Sequence, residues 1–232
     1  MRYFLVFFLF SLHSIVSLGQ NWQGDLKDFH NEFRILKDRD MYERIEGTPF
    51  LNDDFVNGSL ITSDSLIIKD VQLRYNIYLD EMEALLSVST DPRVVTNPGN
   101  FRYFQMDNRT FIYTSFLENN NPKQGYFEIL NQGKCQVLIR RQIAYREAEE
   151  AKGYSDYKPP RFIERPNIYY IRFDRKLPEE IRLNRRNVLS TFEDKRDEIE
   201  DFVKKNNLSY RNFDDLMKIV EYHNQLAEKS DK

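Results

Sequence analysis

Between about residues 45 and 174 the apolar residues recur at every second position, the period of a strand with one buried and one wet face. Val71, Leu73, Tyr75, Ile77 and Leu79 alternate with Gln72, Arg74, Asn76, Tyr78 and Asp80, which predicts one strand running through Leu79. Residues 101–105 and 111–117 flank Asp107-Asn108-Arg109, and residues 126–130 and 134–145 flank Asn131-Gln132-Gly133. Each pair reads as a hairpin, the second with Gly133 where a positive φ is needed. Residues 55–62, 66–68 and 168–173 add further strands. Strands this close together, joined by short turns, predict a curved antiparallel meander over 45–177, as a half barrel or a sandwich.

After Pro178 the period lengthens. Val188, Leu189 and Phe192, then Ile199, Phe202 and Val203, recur at three and four residues, with Glu193, Lys195, Arg196, Glu198 and Glu200 between them. A second helix carries Phe213, Leu216, Met217, Ile219, Val220 and Leu226, with Ser209 as its expected N-cap. The short link at Asn206-Asn207-Leu208 predicts an antiparallel helical hairpin over 178–227, packed on the sheet, and a tail at 228–232. The fold class is α+β. Leu26, Phe29, Phe33 and Leu36 suggest a short amphipathic helix within the segment 20–44. Residues 148–166, with Gly153, Pro159, Pro160 and Pro166, read as a long loop.

The first 19 residues carry a different pattern. Arg2, an apolar run from Tyr3 to Leu12, and small residues Ser17 and Gly19 before Gln20 are the parts of an export signal, in order. The run is shorter than the roughly 20 residues a membrane-spanning helix needs, and no cysteine stands at the cleavage point to take a lipid. The expectation is a soluble periplasmic or extracellular protein, not a lipoprotein, with no integral membrane segment in the mature chain.

Composition supports a folded domain: 14% of the 232 residues are aromatic, although 31% are charged and the mean hydropathy is −0.67. The formal net charge of −3 does not suit a nucleic-acid binder. Cys135 is the one cysteine, which excludes an intramolecular disulfide, a redox pair and a cysteine-rich zinc site. It falls on one face of the alternating run Cys135, Val137, Ile139, so it reads as a small core residue rather than a nucleophile. Only His30 and His223 lie beyond the signal, at opposite ends of the chain, which leaves little for a histidine-based metal site or triad. No glycine-rich phosphate loop is present, and no cofactor is expected.

Candidate chemistry is sparse. Asp53, Asp54, Asp80, Glu81 and Glu83 would supply paired carboxylates for a hydrolase if the fold brought them across a cleft. The stretch NDDFVNG fails as a calcium loop because Val56 replaces an oxygen ligand, so no metal is expected. Phe101, Tyr103, Phe104, Phe111, Tyr113 and Phe116 put aromatic rings on both faces of one hairpin, which is then covered on both sides. The helical hairpin is one expected cover. The other is a second sheet or a bound apolar ligand, with Tyr103 and Tyr113 as lining residues, and Tyr154 and Tyr157 as loop contacts. Arg74, Lys134, Arg140, Arg141 and Arg146 would form a basic strip if their strands are neighbours, although Glu147, Glu149 and Glu150 are interspersed.

The segments GTPFLNDDF (47–55), RYNIYLDEME (74–83) and GYFEIL (125–130), followed by FEDKRDEIEDFVKKNNLS and DDLMKIVEYHNQL, resemble a family of exported Bacteroidota proteins with no assigned activity. The resemblance spans residues 47–226 and implies export, without a catalytic residue to carry over. The expected function is a non-enzymatic binding or scaffolding role with an envelope protein partner. The alternatives are a soluble carrier of a lipid or other apolar ligand, and a carboxylate-dependent hydrolase.

Overall fold

The computed structural model describes residues 33–35, 42–86, 91–151, 156–174 and 176–230. The expected signal, Leu26, Phe29, Leu36 and Tyr154 lie outside them. The fold is α+β. Among the described residues eleven strands make one open antiparallel sheet: β1 (Phe33–Ile35), β2 (Val56–Thr62), β3 (Ile67–Asn76), β4 (Glu81–Leu86), β5 (Arg93–Val95), β6 (Phe101–Met106), β7 (Arg109–Glu118), β8 (Asn121–Ile129), β9 (Cys135–Arg146), β10 (Arg161–Phe173) and β11 (Glu179–Glu180). Their spatial order is β1-β5-β4-β3-β2-β6-β7-β8-β9-β10-β11. The sheet therefore grows from β2 in both directions, as two meanders placed back to back.

The expected strands at 101–105, 111–117, 126–130 and 134–145 correspond to β6 to β9. Three expectations about the sheet are corrected. The alternation through Leu79 ends at Asn76, because the Asn76 side-chain carbonyl accepts the Leu79 N–H at 3.0 Å and Asp80 takes φ +55°. An Asn closing on its own backbone is a turn signal, and Asp tolerates the left-handed region. Phe33, expected on a helix, lies in β1 and pairs with Val95. The loop expected over 148–166 ends at Pro160. Arg161–Pro166 belong to β10, where Pro166 stands at the register shift between Arg165 and Ile168, a position that tolerates a missing N–H.

The curl of the sheet follows from ring contacts. Tyr75 of β3 lies 5.6 Å from Tyr126 of β8 between ring centroids, yet β2, β6 and β7 stand between these strands. A flat sheet would separate them by about 19 Å, four strand spacings. Rings of Tyr75, Phe104, Phe111 and Tyr126 fill the resulting concavity together with Leu60, Leu73 and Met82. The segment 46–51 laces the curl: Glu46 bridges Arg161 of β10, and Phe50 bridges Asn76 of β3.

Among the described residues three α-helices follow, α1 (Arg185–Thr191), α2 (Arg196–Lys205) and α3 (Phe213–Ser230). The first expected helix is split after Thr191. The Ser190 and Thr191 hydroxyls both donate to the Asn187 carbonyl, a back-bonding that bends helices, and a 3-10 turn at Glu193–Lys195 follows. The cap of α3 is Asn212 rather than Ser209. Its side chain accepts the Asp215 N–H at 3.0 Å, while the Asp215 carboxylate reaches back to the Ser209 N–H at 2.9 Å.

The helices cover the first residues of β9 and the last of β10, not the aromatic β6–β7 hairpin. Val188, Leu189, Phe192, Ile199, Leu216, Ile219 and Val220 pack on Cys135, Val137 and Ile171. Asn224 of α3 clasps the strand by accepting the Cys135 N–H (2.8 Å) and donating to the Cys135 carbonyl (2.9 Å). Gly133, at φ +124°, makes room for this amide, since a Cβ there would stand 2.5 Å from Asn224 Nδ2. Among the described residues no helix is long and apolar enough to cross a membrane.

Candidate functional site

The five candidate carboxylates do not face one another across a cleft. Asp53 and Asp54 are exposed in the turn before β2, and the Asp53 backbone carbonyl accepts from Arg74 Nη1 at 3.0 Å. Glu83, 1% exposed, sits opposite Arg74 in the β3–β4 register and accepts its Nε (3.0 Å) and Nη2 (2.7 Å). The same guanidinium lies 3.8 Å from the centroid of Phe50 and 4.5 Å from that of Phe55, the stacked and paired geometry suited to arginine. Glu81 is half-buried, 3.6 Å from Arg34. Burial pushes its carboxyl above the usual range, Arg34 opposing and Glu83 adding to the rise.

Asp80 is held by a different set of partners. Its Oδ1 accepts from the Tyr75 hydroxyl (2.7 Å) and the Tyr126 N–H (3.2 Å), and its Oδ2 from Arg140 Nη2 (3.1 Å). The reason lies in the sheet. β8 joins β9 only at Glu128↔Ile139 and Ile129↔Leu138, so the strands part beyond these pairs and leave the Tyr126 N–H without a strand partner. The β3–β4 turn supplies the missing acceptor. Gly125 permits the approach, because a Cβ there would stand 2.5 Å from Asp80 Oδ2 and 3.4 Å from Arg140 and Phe116. Arg140 also reaches Glu118 at 3.3 Å and lies 4.6 Å from the Phe116 centroid. Burial, then the charge of Asp80, raises the Tyr75 hydroxyl well above the usual tyrosine range, which keeps it a neutral donor.

The wedged turn delivers Tyr78 onto β9 and β10. Its ring is 5.2 Å from Phe162 and 6.4 Å from Tyr145, and those two are 5.9 Å apart. Tyr42 backs the group, 5.4 Å from Phe162 and 5.7 Å from Phe50. Tyr78, Leu79 and Tyr145 remain 41%, 43% and 38% exposed. This patch was not legible in the sequence, where Tyr78 and Tyr145 read as ordinary positions of two alternating strands. The one signal it left is the pair Tyr78-Leu79 directly before the turn residue Asp80.

The other candidates fall elsewhere. The Tyr113 ring sits 5.0 Å from Tyr126, nearly edge-on, and burial raises its hydroxyl. Tyr103 packs against the cluster of Ile112, Phe116 and Phe127. Tyr157 is 54% exposed on the β9–β10 loop. The expected basic strip does not form as one surface: Arg74 of β3 is engaged by Glu83 of β4, and of the β9 arginines Arg140 and Arg146 share one face while Arg141 projects to the other. Arg141 and Arg109 instead flank the buried Glu128, at 2.7 and 3.3 Å. Cys135 is fully buried, and its thiol is pushed up to about 12, chiefly by burial, so it carries no thiolate at neutral pH. Among the described residues no group of His, Cys, Asp or Glu is placed to hold a metal ion. An open groove of about 380 Å³ runs beside the stacked Phe202–Tyr222 pair of α2 and α3, with Lys218 and Glu221 on its rim.

No family model, no curated protein and no solved structure matches the chain.

Proposed function

We propose that this is an exported, non-enzymatic binding module of the cell envelope that docks a protein partner on the patch of Tyr78, Leu79 and Tyr145. The observation that carries the reading is the patch itself, three large side chains held exposed together on two elements that are fixed from below. Tyrosine is enriched where interfaces place their binding energy, and a rigid ring costs little ordering entropy on association. The Asp80 contacts supply that rigidity. Three of the five candidate carboxylates support the same reading by their engagement, since Asp80, Glu81 and Glu83 are each taken by a different arginine. The rings of Tyr103 and Tyr113, which a carried apolar ligand would need, are packed on neighbouring side chains.

The test is quantitative capture from envelope extract with the wild-type chain and a Tyr78→Ser/Tyr145→Ser variant. The reading predicts one protein recovered in stoichiometric amount by the wild type and reduced at least tenfold by the variant. Equal recovery by both chains, or no stoichiometric partner, contradicts it.

A further inference from the structure

Beyond Ile139, β9 and β10 run as a two-stranded ribbon, because β8 has parted from them. Side chains alternate, so Arg140, Gln142, Ala144 and Arg146 share one face with Arg161, Ile163 and Arg165, opposite to the face of Tyr145 and Phe162. On that face Arg146 stands directly across from Arg161 in the register. Like charges at directly opposed positions destabilise a sheet pair, with Cβ atoms only about 5 Å apart. Little compensates them. Arg140 is taken by Asp80 and Glu118, and Arg161 reaches Glu149 at 3.5 Å, whose carboxylate is already held by Lys158 at 2.8 Å. Arg146 and Arg165 are exposed and make no ion pair with any described residue.

Two further features of the ribbon narrow the occupant. From Ile163 to Ile168 the outer edge of β10 has no strand partner among the described residues, since β11 pairs only at Tyr170 and Ile171 and Glu46 only at Arg161. An unpaired edge accepts an extended segment. Arg161 and Arg165 are four residues apart, about 13 Å along the strand, the spacing of carboxylates at positions i and i+4 of an extended peptide. Arginines on the edge also disfavour a second copy of the same strand, by repulsion.

We infer that the arginine face of the β9–β10 ribbon docks an acidic, extended segment of the protein partner. The inference rests on the proposed function and names the chemistry of that partner. The geometry gives an ionic guide on one face of the ribbon and an aromatic anchor on the other. The ionic face sets orientation and encounter rate, while the tyrosines hold the partner once it is seated.

The test is fluorescence anisotropy with a labelled (Glu-Thr)5 peptide titrated with the full chain, repeated with inorganic phosphate and with phosphatidylglycerol vesicles as competitors. The expected result is saturable peptide binding that weakens at least tenfold in Arg146→Gln/Arg165→Gln and also weakens as salt is raised. A charge-reversed Arg146→Glu/Arg165→Glu chain binds (Lys-Thr)5 instead, which shows that a loss in the first variant is not misfolding. Absence of peptide binding, unchanged binding by the glutamine variant, or displacement by phosphate or vesicles at lower concentration than by unlabelled peptide overturns the inference. Partner capture separates the two claims. If the tyrosine variant loses the partner and the glutamine variant keeps it, the proposed function stands and this inference fails; if the tyrosine variant keeps it, the proposed function itself fails.

Discussion

The two halves of the sheet hide their apolar faces by different means. From β2 to β8 the sheet curls on itself, and the curl is closed by a polar contact, the Asp80 carboxylate set between β8 and β9. Where β9 begins and β10 ends, the sheet is covered by α1, α2 and α3 through apolar side chains, with Asn224 as the polar clasp. A helical cover turns a charged outer surface to water. A curl has to be closed by one of its own turns, and the outside of that turn stays where the seam puts it. Here it carries Tyr78 and Leu79. The exposed aromatic patch is a consequence of that closing turn, which sets Tyr78 against Tyr145 at the end of β9 away from the helices.

The strongest way to break the comparison is at the seam. Asp80→Ala removes an acceptor from Tyr75, Tyr126 and Arg140 and leaves a largely buried guanidinium short of a partner, a loss of roughly 3 kcal/mol. Urea unfolding is expected to show that loss, and a smaller one for Asp80→Asn, whose amide oxygen keeps Tyr75 and Tyr126 but not the Arg140 pair. Equal stability of wild type and alanine variant means the seam contributes nothing. At the helical end, Asn224→Ala orphans the buried Cys135 N–H, while the Cys135 carbonyl keeps Asn131. The expected cost is about 2 kcal/mol, and hydrogen exchange is expected to accelerate in α3 without change at Tyr126.

Acid is expected to separate the halves more gently. His223 is buried against Phe192 and Phe173, with Asp194 at 3.9 Å and no partner on Nδ1. Burial lowers its pKa, Asp194 opposing and Lys195 adding to the lowering. The folded pKa lies below the unfolded one, near 6.5, so stability present above about 6.5 falls as the pH drops through that value towards the folded pKa. Thermal unfolding between pH 7 and 5 is expected to show a decline in the wild type that His223→Phe diminishes; identical pH profiles would remove His223 as the cause. The smallest effect on stability belongs to Tyr78→Ser/Tyr145→Ser, roughly 1 kcal/mol from lost ring contacts, and this variant is expected to lose the most binding.

Much of the sheet was legible because local chemistry writes it. The β6–β7 and β8–β9 hairpins follow from alternation and turn residues, and Cys135 falls in the core as its strand position implies. The seam was not legible, because the partners of Asp80 lie 5, 46 and 60 residues away, and the gap it fills exists only once β8 and β9 diverge. Asp80, Glu81 and Glu83 read as one acidic cluster in sequence, but the turn sends Asp80 to Arg140 while the β4 register gives Glu83 to Arg74. Phe33 reads as helical in sequence because β1 is three residues long, too short to show a period. The split between α1 and α2 followed from two hydroxyls competing for one carbonyl, a contest that apolar spacing does not record.

The most direct test of the account is site-specific photo-crosslinking in living cells, with p-benzoylphenylalanine at position 145 in the patch or at position 67, where Ile67 is 50% exposed outside it. The account predicts a single discrete adduct from position 145, abolished by Tyr78→Ser, and none from position 67. No adduct at 145, or the same adducts from both positions, would contradict it.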